Sequence, residues 1–379
     1  MPGSLTTARS PRLPVRRLKA LAAVALLPIA ACATHELRPL EPFVAAARLE
    51  AALDREARRG FSGQALVARG DTILLLAARG KRKPGGDAPI EVDAVMPLAS
   101  VTKPFMASAV LALVEDGQLA LDEPIGTWLD ALPGAWADVP VEHFLLHTAG
   151  LPAEIVNRAW PGHPWFEPVG RTAFLAGLTE FPPDHPPGAG FNYSNVGYSI
   201  LAALVEQVTG LPWEHYLRQR LLLPAGVEDI GFLLPGWPAE QRVHGRVNGE
   251  DRGSHFDQPR LDDGLGYRLR GAGDLQGSAR AMLDWWHSIR RGDWLPGDAF
   301  AAWARPRVSE GDDHAYGYGL EFRQSRAGPV IGHSGSDGVF TADWSWHTEH
   351  DLVIFVASAD PERPADTVRE SLLRALLRP

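Results

Sequence analysis

Ser100 and Lys103 stand three residues apart at the head of a strongly helical pattern covering 104–115. Residues at that spacing share a helix face, so a hydroxyl and an amine meet there. A neighbouring amine makes a weak alcohol nucleophilic by taking its proton, or by tuning the group that does. The competing reading is an N-cap serine and a solvated lysine, because S-x-x-K also recurs by chance. Lysine usage weighs against it. Of 37 basic residues only four are lysine: Lys19, Lys81, Lys83 and Lys103. Where positive charge suffices, this chain nearly always uses arginine. Arginine keeps its proton at any working pH, whereas a desolvated lysine can release it.

Tyr193-Ser194-Asn195 directly precedes an apolar helical run at 196–209. A tyrosine serves as general base only if its pKa falls well below ~10, and a nearby ammonium would lower it. Asn195 both donates and accepts, so it could hold Lys103 and a substrate amide together. Without chemistry, the same residues read as a core tyrosine and an N-cap asparagine. A third group is Gly332-His333-Ser334-Gly335-Ser336 at the end of a short apolar run. Glycines such as Gly335 permit close backbone approach by a ligand. The backbone N–H of Ser336, with that of Ser100, could form an oxyanion hole. His333 could donate a hydrogen bond or carry charge at mildly acid pH. The plainer reading is a Gly/Ser turn with a surface histidine. His143, His147 and His163 make no metal-ligand spacing with acids and receive no role.

The elements that would position these groups follow from periodicity. Residues 41–60 read as an amphipathic helix. Two strands, 61–69 and 72–79, flank Gly70-Asp71 as a hairpin, and 81–89 is a polar loop. The helix after Ser100 ends at Gly117, and the 196–209 helix at Gly210. Residues 151–171 are loop-like and carry Trp160, Trp165 and Phe166, a hint of an apolar acyl pocket that packing explains equally well. A further helix covers 279–291, with Trp285 and Trp286. Strands are expected at 317–322 and 330–333, and a hairpin at 339–347 and 351–358. Phe340, Ala342, Trp344 and Trp346 alternate onto one face of it. The segment 364–377 closes the chain as an amphipathic helix. Strands at both ends around a helical middle imply an α+β fold. One antiparallel sheet is built from both chain ends, with the terminal helices packed on it and a mainly helical lobe inserted. The sheet lobe would comprise 41–100 and 310–379, the helical lobe 101–309, and the site would lie in the groove between them.

Composition bounds the rest. At 379 residues, 45% hydrophobic and 22% charged, the chain is of ordinary globular type. Basic residues at 9–19 precede an apolar stretch at 20–31 and then Cys32, the one cysteine, which excludes an internal disulfide. Twelve apolar residues are too few for a permanent membrane span, so 1–31 reads as a signal peptide. Ile29-Ala30-Ala31-Cys32 resembles a bacterial lipobox. Cys32 is therefore expected to carry a lipid, with 32–40 as a tether on an exported protein facing the periplasm or cell exterior. Beyond the five basic residues ahead of Cys32, 32 basic residues face 46 acidic ones. So acidic a body argues against nucleic-acid binding. Nothing in the sequence sets the oligomeric state.

Taken in order, these motifs resemble the serine β-lactamase and penicillin-binding-protein superfamily, in its class C-type branch with esterases and D-amino-acid peptidases. The likeness covers 41–379. S-x-x-K stands as Ser100–Lys103, Y-x-N as Tyr193–Asn195 and H-x-G as His333–Gly335. Leu145 through Pro152 is similar to L-L-x-H-T-S-G-L-P, with Ala149 for the serine. Pro187 through Tyr198 resembles P-G-x-x-x-x-Y-S-N-x-G-Y, and Gly271 through Arg280 resembles G-G-L-x-S-T-A-x-D. The resemblance implies a β-lactamase-like fold and an acyl-enzyme on Ser100, formed from a small-molecule or peptide-like ester or amide. Lys103 and Tyr193 would share the base role, Asn195 would position substrate, and the amides of Ser100 and Ser336 would hold the oxyanion. His333 and Gly335 would line the wall facing the leaving group or carboxylate. Neither a metal nor an organic cofactor is implied. Class C β-lactamases have K-T-G where this chain has His333-Ser334-Gly335. A mostly neutral histidine replaces a permanent cation, which favours esterase or D-amino-acid peptidase chemistry over β-lactamase. A lipid-anchored binding protein that lost the reaction is the alternative from another class.

Overall fold

The computed structural model describes residues 41–152, 155, 165–179, 181–311 and 313–377. Cys32, the tether, Trp160 and His163 lie outside them. The strands, in chain order, are β1 (Gly63–Arg69), β2 (Thr72–Arg79), β3 (Met96–Pro97), β4 (Ile230–Gly231), β5 (Gly245–Val247), β6 (Glu250–Gly253), β7 (Gln276–Gly277), β8 (Val308–Gly311), β9 (His314–Tyr316), β10 (Glu321–Ser325), β11 (Gly328–Ser336), β12 (Thr341–His347) and β13 (Leu352–Ser358). The longer helices are α1 (Pro42–Arg58), α2 (Thr102–Glu115), α3 (Asn195–Thr209), α4 (Ala279–Arg291) and α5 (Ala365–Leu377). Eight strands form one antiparallel sheet in the order β2-β1-β13-β12-β11-β10-β9-β8. Both chain ends build it, as the strands expected at the two ends of the sequence require.

Strand alternation divides the core. Ala65, Val67, Ile354 and Val356 face a layer made by Leu49 and Leu53 of α1 and Leu372 and Leu373 of α5. Leu66, Ala68, Val353 and Phe355 face the opposite layer, which includes α2, α3 and α4. β13 is covered on both sides, so its run Leu-Val-Ile-Phe-Val-Ala is apolar throughout instead of alternating. The helical middle shares one continuous core with the sheet.

Stacked rings fasten α2 to the sheet. Phe105 lies 4.3 Å from Trp285, and Trp285 lies 4.8 Å from Trp344 of β12, between ring centroids. All three are fully buried, and Phe105 is two residues past Lys103. The sheet thus reaches the helix that carries Lys103 through aromatic contact.

Two expectations shift. The strand expected at 317–322 begins only at Glu321. Residues 317–320 instead form a turn closed by Gly317 N–H donating to Leu320 O at 2.8 Å. Gly319, at φ 71°, comes so near the carbonyl of Lys103 that a Cβ would sit 2.5 Å from it, so close packing on α2 displaces strand pairing. β8 and β9 are additional strands, polar and half-exposed without clear alternation.

The ring stack predicts a stability split. Trp285→Ala is expected to cost about 3–5 kcal/mol in urea unfolding. Trp285→Phe should cost much less, because the indole N–H has no hydrogen-bond partner to lose. Equal losses in the two variants would refute the packing account.

Candidate active site

The segment leading to Ser100 is pinned before it turns. β3 pairs with β7, Pro97 opposite Gln276. Leu98 N–H donates to Leu275 O at 2.9 Å, and Leu275 N–H donates to Thr102 Oγ1 at 3.2 Å. Between these anchors Ala99 adopts φ 46°, a left-handed conformation that costs a residue with a Cβ roughly 1 kcal/mol. The sharp turn lifts Ser100 to the start of α2, half-buried. Its amide is among those at a helix start that have no partner within the helix.

Lys103, one turn on, is fully buried. Its Nζ lies 3.0 Å from Ser100 Oγ, 2.8 Å from Asn195 Oδ1 and 2.9 Å from the carbonyl of Ala272. Burial pushes its pKa well below the ordinary lysine value, while Glu321 and Asp274 pull it partly back. A neutral amine has two N–H bonds and one lone pair. Asn195 Oδ1 and Ala272 O are acceptors only and take both protons, which leaves the lone pair toward the Ser100 hydroxyl.

Asn195 is free to do this because it is not the helix cap. Ser194 is, its hydroxyl accepting from Gly197 N–H at 3.3 Å. Tyr193 is 38% exposed, and its ring centroid is 4.7 Å from Lys103 Nζ. The ammonium expected to lower its pKa does not do so. Packing around the phenol raises it first; a hydrogen bond with Ser100 opposes this, and Glu321, Tyr198 and Glu310 raise it further. Tyr193 is a neutral phenol here, a proton donor before it is an acceptor.

The third motif lies on β11, at an edge opened by a short neighbour. β10 pairs with β11 only from Ser325↔Gly328 to Glu321↔Gly332, whereas β12 accompanies β11 as far as Ser336↔Thr341. Asp337 N–H donates to Phe340 O at 3.2 Å across the hairpin. Alternation then turns the amide of Ser336 the other way, toward the side β10 has vacated. Gly335 lies against the nucleophile turn. A Cβ there would be 2.5 Å from the Ser100 nitrogen and 2.9 Å from Ala99 Cβ, so only glycine lets this strand approach.

His333 corrects an expectation. It is not a wall residue facing substrate: its side chain is 1% exposed. Nδ1–H donates to Ser334 O at 2.6 Å, and Nε2 accepts from the Tyr316 hydroxyl at 3.0 Å. Burial lowers its pKa to about 4, so the ring is neutral and both nitrogens are spent.

Three contributors carried no signal in spacing. Tyr316 and Glu321 come from β9 and β10; Glu321 Oε1 accepts from Ser334 Oγ at 3.3 Å and lies 3.6 Å from His333 Nδ1. The third is His147, at φ 58°. Its carbonyl accepts from Asn192 N–H at 2.8 Å and its Nδ1 from Ser194 N–H at 3.0 Å, gripping the chain on both sides of Tyr193. Its ring lies 4.3 Å from that of Tyr193. Its place in the 145–152 motif was the available signal. His143, by contrast, is occupied with Thr148 Oγ1 at 2.8 Å.

Comparison with known proteins follows the same lines. The beta-lactamase family model matches residues 45–378. Esterase EstB of Burkholderia gladioli is 34% identical over 203 residues, covering 50% of this chain and 52% of that protein. The matched region thus spans about half the length of that relative. Penicillin-binding protein 4* of Bacillus subtilis is 23% identical over 365 residues, covering 83% of this chain and 77% of its own. Among solved structures, the D-amino acid amidase of Ochrobactrum anthropi complexed with D-phenylalanine superposes with a TM-score of 0.72 at 22% identity. It covers 88% of this chain and 98% of that one.

The buried imidazole of His333 makes a testable mark on stability. Below its ordinary pKa of 6.5 the unfolded chain binds a proton there, while the folded chain refuses it until about 4. This contribution to stability is complete above 6.5 and is lost as pH falls toward 4. His333→Gln should flatten the dependence of unfolding free energy on pH in that window by up to about one proton. Urea titrations across the window measure it, and an unchanged slope would contradict a neutral buried ring.

Proposed function

The chain belongs to the beta-lactamase family, and on that premise we propose that it is a serine hydrolase that cleaves an ester or amide through an acyl-enzyme on Ser100. The observation that carries this reading is the buried Lys103 amine, with both protons engaged and its lone pair toward Ser100 Oγ. Ser100 Oγ attacks the carbonyl carbon as its proton passes to Lys103 Nζ. The carbonyl oxygen gains charge between the amides of Ser100 and Ser336, which need no reorganisation. Tyr193, a neutral phenol at the cleft, delivers a proton to the leaving group, and the carbon–heteroatom bond breaks. Water then attacks the acyl-enzyme with the same groups in reverse roles.

Esterase or D-amino-acid amidase and peptidase chemistry fits better than β-lactamase action. A β-lactam carries a carboxylate, and the third motif offers it no cation. His333 is neutral and enclosed, and Glu321 stands beside it. The names of EstB and of the amidase are in keeping with this preference.

Fluorophosphonate labelling should place one adduct on Ser100, absent in Ser100→Ala. Lys103→Ala should lower kcat on p-nitrophenyl esters and D-amino-acid amides by roughly 10²–10⁴-fold, the range for loss of a general base. A chromogenic cephalosporin should turn over slowly or not at all. Rapid cephalosporin turnover would overturn the substrate reading; no Ser100 adduct and no turnover of any substrate would leave a binding protein of this fold.

We also propose export and lipid attachment at Cys32, supported by the basic run, the short apolar stretch and Ile29-Ala30-Ala31-Cys32. Expressed in a bacterium fed radiolabelled palmitate, the wild type should incorporate label and partition into detergent, and Cys32→Ser should do neither. Incorporation by Cys32→Ser would refute it.

A further inference from the structure

A buried imidazole–carboxylate pair lies behind the oxyanion site without touching the reacting atoms. His255 and Asp337 have side chains 4% and 7% exposed, with Nε2 and Oδ2 2.5 Å apart. Phe166 and Phe340 enclose the ring edge-on, at 4.7 and 5.7 Å between centroids. Gln276 Nε2 approaches the other ring nitrogen, Nδ1, at 3.0 Å, and also donates to the carbonyl of Asp274 at 3.2 Å. A carbonyl only accepts, so the Gln276 atom is a nitrogen and His255 Nδ1 must accept from it. The ring proton therefore sits on Nε2 and is donated to Asp337.

Each end of this bridge leads to one of the two amides. Asp337 follows Ser336 directly. Its other oxygen, Oδ1, accepts from the N–H groups of Val339 at 2.8 Å and Phe340 at 2.6 Å. That closes the turn which aims the Ser336 amide at the cleft. At the other end Gln276 pairs with Pro97, and its neighbour Leu275 accepts from Leu98 N–H. Two residues beyond Leu98 is Ser100. One continuous path of hydrogen bonds and adjoining backbone thus runs from the Ser100 turn through Leu275, Gln276, His255 and Asp337 to Ser336.

We propose that His255 is a positioning residue that sets the distance between the amides of Ser336 and Ser100 by bridging Gln276 to Asp337. The inference rests on the acyl-transfer reading, which uses those amides as the oxyanion hole. Backbone donors cannot be deleted by substitution, so their placement depends on what holds the adjoining turns. Loss of one such donor elsewhere costs 10²–10³ in kcat, and a donor displaced but still present should cost less.

The test is kinetic. In His255→Leu, of similar bulk, both bonds are lost; kcat on a p-nitrophenyl ester should fall about 10–100-fold with KM within threefold. The rate of fluorophosphonate labelling at Ser100 should fall in parallel, and the Ki of phenylboronic acid should rise, because both adducts place an oxygen between the two amides. His255→Gln can still donate to Asp337 and accept from Gln276, and it should recover most of the loss. If His255→Leu fails to fold, Asp337→Asn is read by the same assays, since its amide meets the ring N–H donor to donor. A folded variant with kcat within twofold of wild type, or a change in KM alone, overturns the proposal. A purely structural role would lower the melting temperature without moving the boronic acid Ki, and that result overturns it too. Failure of the wild type to label at Ser100 would instead defeat the acyl-transfer reading, before any variant is compared.

Discussion

Lys103 is buried, with no carboxylate in contact among the described residues. That one constraint organises the centre of the molecule. Removing an ammonium from water costs several kcal/mol unless it is paired, and the groups touching this one are a hydroxyl, an amide oxygen and a backbone carbonyl. They satisfy an amine, and Glu321 and Asp274 act on it only at longer range. The three partners come from the turn before α2, the start of α3 and the loop ahead of β7, so these segments must dock together for the amine to be satisfied. The pKa of Tyr193 beside it is pushed the opposite way. When neighbouring groups are driven apart in this manner, one becomes the base and the other the acid. Sequence considerations left that assignment open between the two, and in the proposed reaction these opposite shifts favour a lysine base and a phenol acid.

The second constraint is an interrupted sheet. An edge strand exposes unpaired N–H and C=O groups, a liability that proteins usually cover. Here the interruption is internal: β10 stops at Glu321, the chain ahead of it is taken by a turn packed on Lys103, and β11 runs on to Ser336 with one side open. The nucleophile turn occupies part of that gap, held close by the absence of a side chain on Gly335. Backbone groups of β11 and the hydroxyl of Ser100 therefore face the same space, supported by the aromatic stack beneath α2.

Much of this was legible in the residues, for identifiable reasons. The hairpin at Gly70-Asp71, the Trp344 strand and the 279–291 helix have strong periods and clear stops, and they appear where periodicity placed them. The spacing of Ser100 and Lys103 survives folding because both lie on one turn. What stayed hidden depended on distant contact. β3, β4 and β7 are two residues long and have no period to read. The strand expected at 317–322 has the right residue types, but Gly317 and Gly319 serve close packing instead. His333 reads equally well as an exposed cation or a buried acceptor; only the arrival of Tyr316 from β9 decides between them. His147 was set aside for lack of a metal partner, although its task is to hold the backbone around Tyr193.

Charge at the third motif then shapes what the cleft can accept. In the folded protein Lys103 disfavours the protonation of His333. A permanent cation at position 333 would likewise disfavour a second charge on Lys103, and it would add to the one that Arg323 already sets beside Glu321. With a neutral ring there instead, Glu321 is paired with Arg323 Nε at 3.5 Å, and burial, followed by the nearby Glu321, raises Glu310 of β8 to about 7. A substrate carboxylate entering along β11 would meet no cation at position 333, and Arg323 is already paired with Glu321, so its desolvation would go uncompensated. An uncharged acyl group pays no such penalty. The histidine of the third motif therefore withholds a cation from a substrate carboxylate, and in the proposed reaction that favours an uncharged acyl group.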